Sequence, residues 1–192
     1  MNRLIVVALA LLTLALVGCS SSESESTQTQ SDGYNKPAGT PKTTAQAASV
    51  NNSGIQFSSY DIDGNLRDAS EWFGSTPVVV NIWGTWCPPC RKEIPDLVKV
   101  YEEFRYKGVE MIGVAIARGS RGGVSDVRPF VAQHGMDWTH MMLNPNDPGM
   151  MSVFAPRSVP TTIFYDRDGN EVKRLVGAHD YYQFKEAFEA IL

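Results

Sequence analysis

Cys87 and Cys90 bracket a Pro-Pro pair in the stretch WGTWCPPCRKEIP, Trp83 to Pro95. Three chemistries use two cysteines at this spacing: a metal clip, a structural disulfide or a working dithiol. A structural zinc site needs four ligands, and the three histidines, His134, His140 and His179, are not clustered with the pair. No metal is therefore expected. A disulfide closing so small a ring removes little loop entropy from the unfolded chain, so it is a poor staple. Thiol-disulfide exchange fits better. It needs an exposed, stabilised thiolate and a second thiol close enough to release a mixed disulfide. Cys87 is the expected nucleophile and Cys90, one turn further in and shielded, the resolving thiol.

Those roles demand particular supports. Pro77 to Trp83, PVVVNIW, is a β-branched run that reads as a strand buried on both faces and leads straight into the motif. Pro89 suits the first turn of a helix reaching about Lys107, with Ile94, Leu97, Val98, Tyr101 and Phe104 at helical spacing. Cys87 then lies at the positive end of the helix dipole, beside backbone N–H groups without helical partners. Stepping about 100° per residue from Ile94 places Glu93 inside the apolar arc, while Arg91, Lys92, Asp96, Lys99, Glu102, Glu103 and Lys107 fall outside it. Arg105 also falls inside, near the helix end where its stem can snorkel. A buried carboxyl three residues after Cys90 would have a raised pKa suited to moving protons to and from the thiols. The competing reading is a first-turn glutamate held by the dipole and tilted towards water.

Further elements follow from pattern. Residues 55–67 read as a hairpin turning at Asp63-Gly64, with a short helical piece at Ser70 to Phe73. Val109 to Ala117 is a second buried strand, and Ser125 to His134 a helix capped by Ser125 with Asp126 in its first turn. Thr161 to Gly177 is a strand, an Asp-Gly turn and a strand, and Asp180 to Leu192 an amphipathic closing helix. The sum is an α/β domain: a central mixed β-sheet flanked by helices, with an N-terminal β-hairpin extension. No internal repeat is apparent. The loop RGSRGG, Arg118 to Gly123, reads as a solvated connection, with anion binding as its alternative. Met141, Met142, Met150 and Met151 read as core filler, with a copper site as the alternative. Trp83 and Trp86 flank the motif and are expected to shape its rim, and the histidines to be surface or packing residues.

The ends of the 192-residue chain concern location. Residues 1–18 combine Arg3 with an apolar run from Leu4 to Val17, a secretory signal too short for a confident membrane span. Leu16-Val17-Gly18-Cys19 resembles the bacterial lipobox, in which Cys19 becomes the lipid-modified first residue. From Ser20 to Ser53 the chain is rich in Ser, Thr, Gln, Asn and Pro. Residues 19–53 are thus expected to be a lipidated cysteine and a disordered linker, and a coil of about 34 residues spans roughly 30 Å. The folded domain is expected over 54–192. A formal charge of -4 leaves no basic surplus for a phosphate backbone, which argues against a nucleic-acid partner.

The motif WGTWCPPCRKEIP after a buried strand, with VPTTIFYDRDG seventy residues later, resembles the thioredoxin-like proteins and among them the membrane-tethered TlpA/ResA family. The resemblance covers about Ile55 to Leu192 and implies a thioredoxin-like fold. It implies catalytic roles for Cys87, Cys90 and Glu93, with Pro160 as the cis-proline facing the disulfide and Pro95 as the proline inside the active-site helix. Trp86, Pro88, Val159 and Thr161 become substrate-binding positions. Thioredoxins themselves carry a buried aspartate where this chain has Asn81, so proton transfer falls to Glu93. No histidine stands between the cysteines of the kind found in strong oxidants, which favours a reductant. The resemblance further implies cysteine-containing exported proteins as substrates, apocytochrome c foremost, a membrane-embedded thiol electron donor, a lipid-anchored extracytoplasmic location and no bound cofactor. The alternatives are a peroxiredoxin-type thiol peroxidase and a copper-binding carrier.

Overall fold

The structure is a computed structural model that describes residues 54–192 apart from Ala155. The expected signal sequence, lipidated Cys19 and disordered linker fall outside the described residues. Chain order runs β1 (Ser58–Tyr60), β2 (Leu66–Asp68), a 3-10 turn (Ala69–Glu71), β3 (Val78–Trp83), α1 (Pro88–Phe104), β4 (Glu110–Ala115), α2 (Val124–Gln133), β5 (Thr139–Met142), α3 (Pro148–Phe154), β6 (Thr161–Tyr165), β7 (Glu171–Val176) and α4 (Tyr181–Glu189). β1 and β2 form the expected N-terminal hairpin, and the other five strands one sheet in the order β5-β4-β3-β6-β7. β3, β4 and β5 are parallel, while β6 runs antiparallel to both β3 and β7. The mixed, helix-flanked sheet of the thioredoxin-like fold is therefore present.

Alternation along β3 divides the interior into two layers. Val78, Val80 and Ile82 join Ile112, Val114, Met141 and Ile163 on one face, covered by Phe57, Trp72 and Phe73 from the N-terminal segment and by Met150 and Phe154 of α3. Val79 faces the other way, against Leu97, Val100 and Phe104 of α1 and Phe184, Ala187 and Phe188 of α4. Trp83 lies on that second side with Cys90, Ile94 and Val127. Handedness explains the layering. The units β3-α1-β4 and β4-α2-β5 move the same way across the sheet, so right-handed crossovers put α1 and α2 on one face. The chain must then return from edge strand β5 to β6, and α3 does so over the other face. Phe104, Phe164, Phe184 and Phe188 are fully buried, each contributing about 2 kcal/mol of transfer free energy.

β5 and α3 are additions to the elements legible in sequence. β5 is the four-residue THMM and α3 the seven-residue PGMMSVF, both too short to show a period. α2 is a correction of detail: it begins at Val124 with Gly123 as N-cap, one residue before the expected Ser125. No side chain caps it; Asp126 in the first turn instead accepts the Gly122 N–H at 2.6 Å, which ties the preceding loop to the helix. The hairpin turns also share local chemistry. Asp61 Oδ1 accepts the N–H groups of Asp63 and Asn65, both at 2.9 Å. Asp166 Oδ1 does the same for Asp168 at 3.0 Å and Asn170 at 2.9 Å. The six-residue pattern Tyr-Asp-x-Asp-Gly-Asn, at 60–65 and 165–170, thus closes both hairpins.

One close approach ties β4 to β5. Gly113 pairs with His140, and a Cβ on Gly113 would lie 2.2 Å from His140 Nδ1. The imidazole cannot swing away, because it is 2% exposed and its centroid stands 5.7 Å from the Trp83 ring and 5.4 Å from the Trp138 ring. Gly113→Ala is therefore expected to destabilise the fold by about 2–3 kcal/mol, the range of core overpacking, read as a lowered urea midpoint.

His140 also sets an acid limit. Burial pushes its pKa down from 6.5 to about 4, partly offset by its bond to the Met136 carbonyl. The native state favours the neutral ring, so this contribution is complete above pH 6.5 and is lost as pH falls towards 4. The shift corresponds to about 3 kcal/mol, expected as a loss of stability across that window relative to His140→Phe, which leaves the opposite contribution of Glu93 in place.

Candidate active site

α1 is capped by sulfur. Cys87 is its extended N-cap residue, and Cys87 Sγ accepts the Cys90 backbone N–H at 3.3 Å. A thiolate at that position meets the same N–H at the positive end of the helix. Pro88 and Pro89 occupy the first helical positions, where a missing N–H costs nothing. Both are exposed, so Pro88 forms part of the surface a partner meets. Pro95 lies inside α1, where it cannot donate to the carbonyl of Arg91. Cys87 and Cys90 are joined in a disulfide with their Cα atoms 5.3 Å apart.

The oxidised pair is more sheltered than the sequence suggests. Cys90 is fully buried, and Cys87 is only 2% exposed rather than open to solvent. The reason is packing: half-buried Trp86 and Val159 lie against the cluster that contains both cysteines. The Val159–Pro160 peptide bond is cis, and the Val159 carbonyl oxygen stands 3.8 Å from Cys87 Sγ. Pro160 thus sits opposite the disulfide. Thr161, expected to meet substrate, is 2% exposed and its hydroxyl donates to the Ser158 carbonyl at 2.8 Å. Its side chain braces the loop before β6 and does not face outward.

Trp86 is held from several sides. Its Nε1–H donates to the Ile116 carbonyl at 2.7 Å, and the Arg118 guanidinium lies 5.2 Å above its ring. Gly84 and Gly122 make the space: a Cβ on either would come within 2.8 Å and 2.9 Å of the indole. Trp83 is a core residue, fully buried.

Beneath the disulfide helix lies a buried polar network. Glu93 is 2% exposed, which excludes the solvent-facing glutamate. Asn81 Nδ2 donates to Glu93 Oε1 at 3.1 Å and to Thr162 Oγ1 at 2.9 Å, and the His179 backbone N–H donates to Glu93 Oε2 at 3.3 Å. Burial raises the Glu93 pKa from 4.5 to about 7, against the opposing pull of the two hydrogen bonds. A carboxyl with that pKa exchanges protons near neutrality. Asn81, at the position of the thioredoxins' aspartate, therefore serves the glutamate. The contributions of Thr162 and the His179 backbone were not foreseen. Asn81 was traceable as a lone polar residue in a buried strand, whereas the other two come from distant segments without any local pattern.

The remaining sequence candidates do not converge on the cysteines. His134 Nδ1 lies 2.8 Å from the Phe130 carbonyl oxygen, with its ring stacked on Phe130, and the His140 ring packs in the core. Met141 and Met150 fill one face of the sheet, while Met142 packs on the other. Opposite faces of β5 cannot direct Met141 and Met142 at one copper ion.

A family model described as Redoxin matches residues 41–190. The thiol-disulfide oxidoreductase ResA of Halalkalibacterium halodurans is 30% identical over 139 residues, 71% of this chain and 74% of that protein. The chain belongs to the Redoxin family, among the ResA-type thiol-disulfide oxidoreductases. ResA of Bacillus subtilis is 28% identical over 127 residues, 63% of this chain and 67% of that protein. A solved thioredoxin-family thiol:disulfide interchange protein from Chlorobium tepidum TLS is 26% identical, with a TM-score of 0.62 over 71% of this chain and 93% of its own. For a Redoxin-family oxidoreductase the Cys87–Cys90 disulfide is the redox group.

Proposed function

We propose that this oxidoreductase works outside the cytoplasm as a reductant, tethered to a membrane by lipid on Cys19. In this reading Cys87 thiolate attacks a disulfide in an exported protein and expels one substrate thiolate. Cys90, after losing its proton, attacks Cys87 Sγ, expels the second substrate thiolate and regenerates the Cys87–Cys90 disulfide. Two electrons and two protons pass to the substrate. A membrane-embedded thiol donor supplies them in the next cycle, and apocytochrome c cysteines are the foremost substrate by resemblance. Glu93 holds and releases the proton of the buried thiol. Val159, Trp86 and Pro88 form the surface against which the substrate strand lies, next to buried Pro160.

The observation that carries the reducing direction is the sparse support at Cys87. Among the described residues its sulfur accepts one peptide N–H and no side-chain cation, and it faces a carbonyl oxygen. A thiolate so little stabilised makes a poor leaving group, which favours the oxidised form of the pair and gives a low potential. Redox titration of the protein in a thiol buffer, read by alkylation of Cys87 and Cys90, tests this. A midpoint at or below about -270 mV agrees with a reductant, and one near about -120 mV would make the protein an oxidant.

A further inference from the structure

The exchange chemistry leaves the loop Arg118–Gly123 unused, although its geometry is specific. Arg118 and Arg121 face each other in an antiparallel bridge, Arg118 N–H donating to the Arg121 carbonyl at 2.8 Å and Arg121 N–H to the Arg118 carbonyl at 3.2 Å. Gly119, at φ 60°, turns the chain between them. Residues directly opposite in such a bridge project to the same side, and two like charges there repel. Arg67, Arg105, Arg128 and Arg174 each meet a carboxylate, whereas Arg91, Arg157 and Arg167 stand apart from one another without one among the described residues. Exposed Arg118 and Arg121 have none among the described residues, and the Asp126 carboxylate turns to the Gly122 N–H. A fold that sets two unneutralised guanidinium groups side by side is locally inconsistent, the mark of a functional position.

Their location says what for. Arg118 stacks on Trp86, which immediately precedes Cys87 and is pinned by the Ile116 carbonyl, Gly84 and Gly122. A stacked guanidinium keeps its N–H edge free for an acceptor in its plane. We propose that Arg118 and Arg121 form a carboxylate-reading lip beside the reacting sulfur, selecting disulfide substrates with an Asp or Glu about two to four residues from the target cysteine, at roughly 3.3 Å per extended residue. The inference rests on the exchange reading given above. In a chain of net charge -4 the overall field does not draw acidic substrates, so the selection is local.

Three synthetic peptides with one internal disulfide, flanked by Glu-Glu, Gln-Gln or Lys-Lys, test it. The pre-reduced protein is mixed with each in single turnover, at low salt and in 0.5 M (roughly) sodium chloride. The expected order is acidic, neutral, basic, with about tenfold between acidic and neutral at low salt and little difference at high salt. R118Q/R121Q is expected to erase the acidic-to-neutral ratio, whatever its absolute rates. R121Q alone, which leaves the Arg118–Trp86 stack in place, should lose about half of it on a logarithmic scale. Equal rates on the acidic and neutral peptides, or a ratio that survives in the double variant, would overturn the lip. A protein that reduces none of the three overturns the exchange reading itself, and the lip with it.

Discussion

Cys87→Ser is expected to reduce disulfide exchange to background, a loss of about a thousandfold or more, while Cys90→Ser stops the same reaction one step later. The asymmetry follows from position. Cys87 Sγ sits at the start of α1, where it accepts the Cys90 N–H, and is bordered by the cis-proline loop from which a partner must approach. Cys90 is fully buried and bonded to the sulfur of Cys87, so a substrate meets Cys87 first. Without Cys90 the mixed disulfide has no resolving thiol, so Cys90→Ser should accumulate a covalent adduct with a peptide disulfide. Mass spectrometry under non-reducing conditions reads it directly. An adduct that forms in Cys87→Ser and not in Cys90→Ser would reverse the two assignments.

The parts of the fold legible in sequence are those whose own residues carry the reason for their structure. PVVVNIW needs burial on both faces and finds it as the central strand β3. Asp180 announces the start of α4 because its side chain accepts the Gln183 N–H at 3.0 Å while Gln183 reciprocates. β5 and α3 have no such internal cause. THMM becomes a strand because β4 offers an open edge, and His140 and Met141 are buried by tertiary partners from Trp83 to Phe154. The methionines could be read as filler but not assigned to faces until β5 existed.

The site shows the same division. The helical wheel puts Glu93 on the buried face of α1 because Ile94, Leu97, Val98, Val100, Tyr101 and Phe104 on the same helix define that face. Its hydrogen-bond partners come from β3 and from the turn before α4, 12 and 86 residues distant. No helical period reports contacts of that kind. The shelter over Cys87 escapes the sequence for a related reason. What covers it, Val159 before the cis bond, enters from a loop 72 residues away in sequence.

Glu93→Gln is expected to make the protein more stable and slower, a combination that separates a proton carrier from a packing residue. Its folded pKa of about 7 lies above the ordinary 4.5, so the fold favours the neutral carboxyl. Below pH 4.5 both states hold the proton and no penalty arises; as pH rises towards 7 the unfolded chain releases it first and the native state loses stability. Glutamine removes that cost. Its amide nitrogen meets the His179 N–H poorly, so the gain at pH 8 is expected to be about 1–3 kcal/mol, vanishing at pH 4. Exchange should change oppositely. The wild-type rate is expected to bend near pH 7 as Glu93 becomes able to take the Cys90 proton, and the glutamine variant to lose that bend and fall about a hundredfold at pH 7. Asn81→Leu supplies the internal control: without the Asn81 donor Glu93 is harder to ionise, so the bend should move above pH 7 and remain visible. A bend that persists unchanged in Glu93→Gln assigns the titration to a thiol, and leaves the buried carboxyl as a structural partner of Asn81.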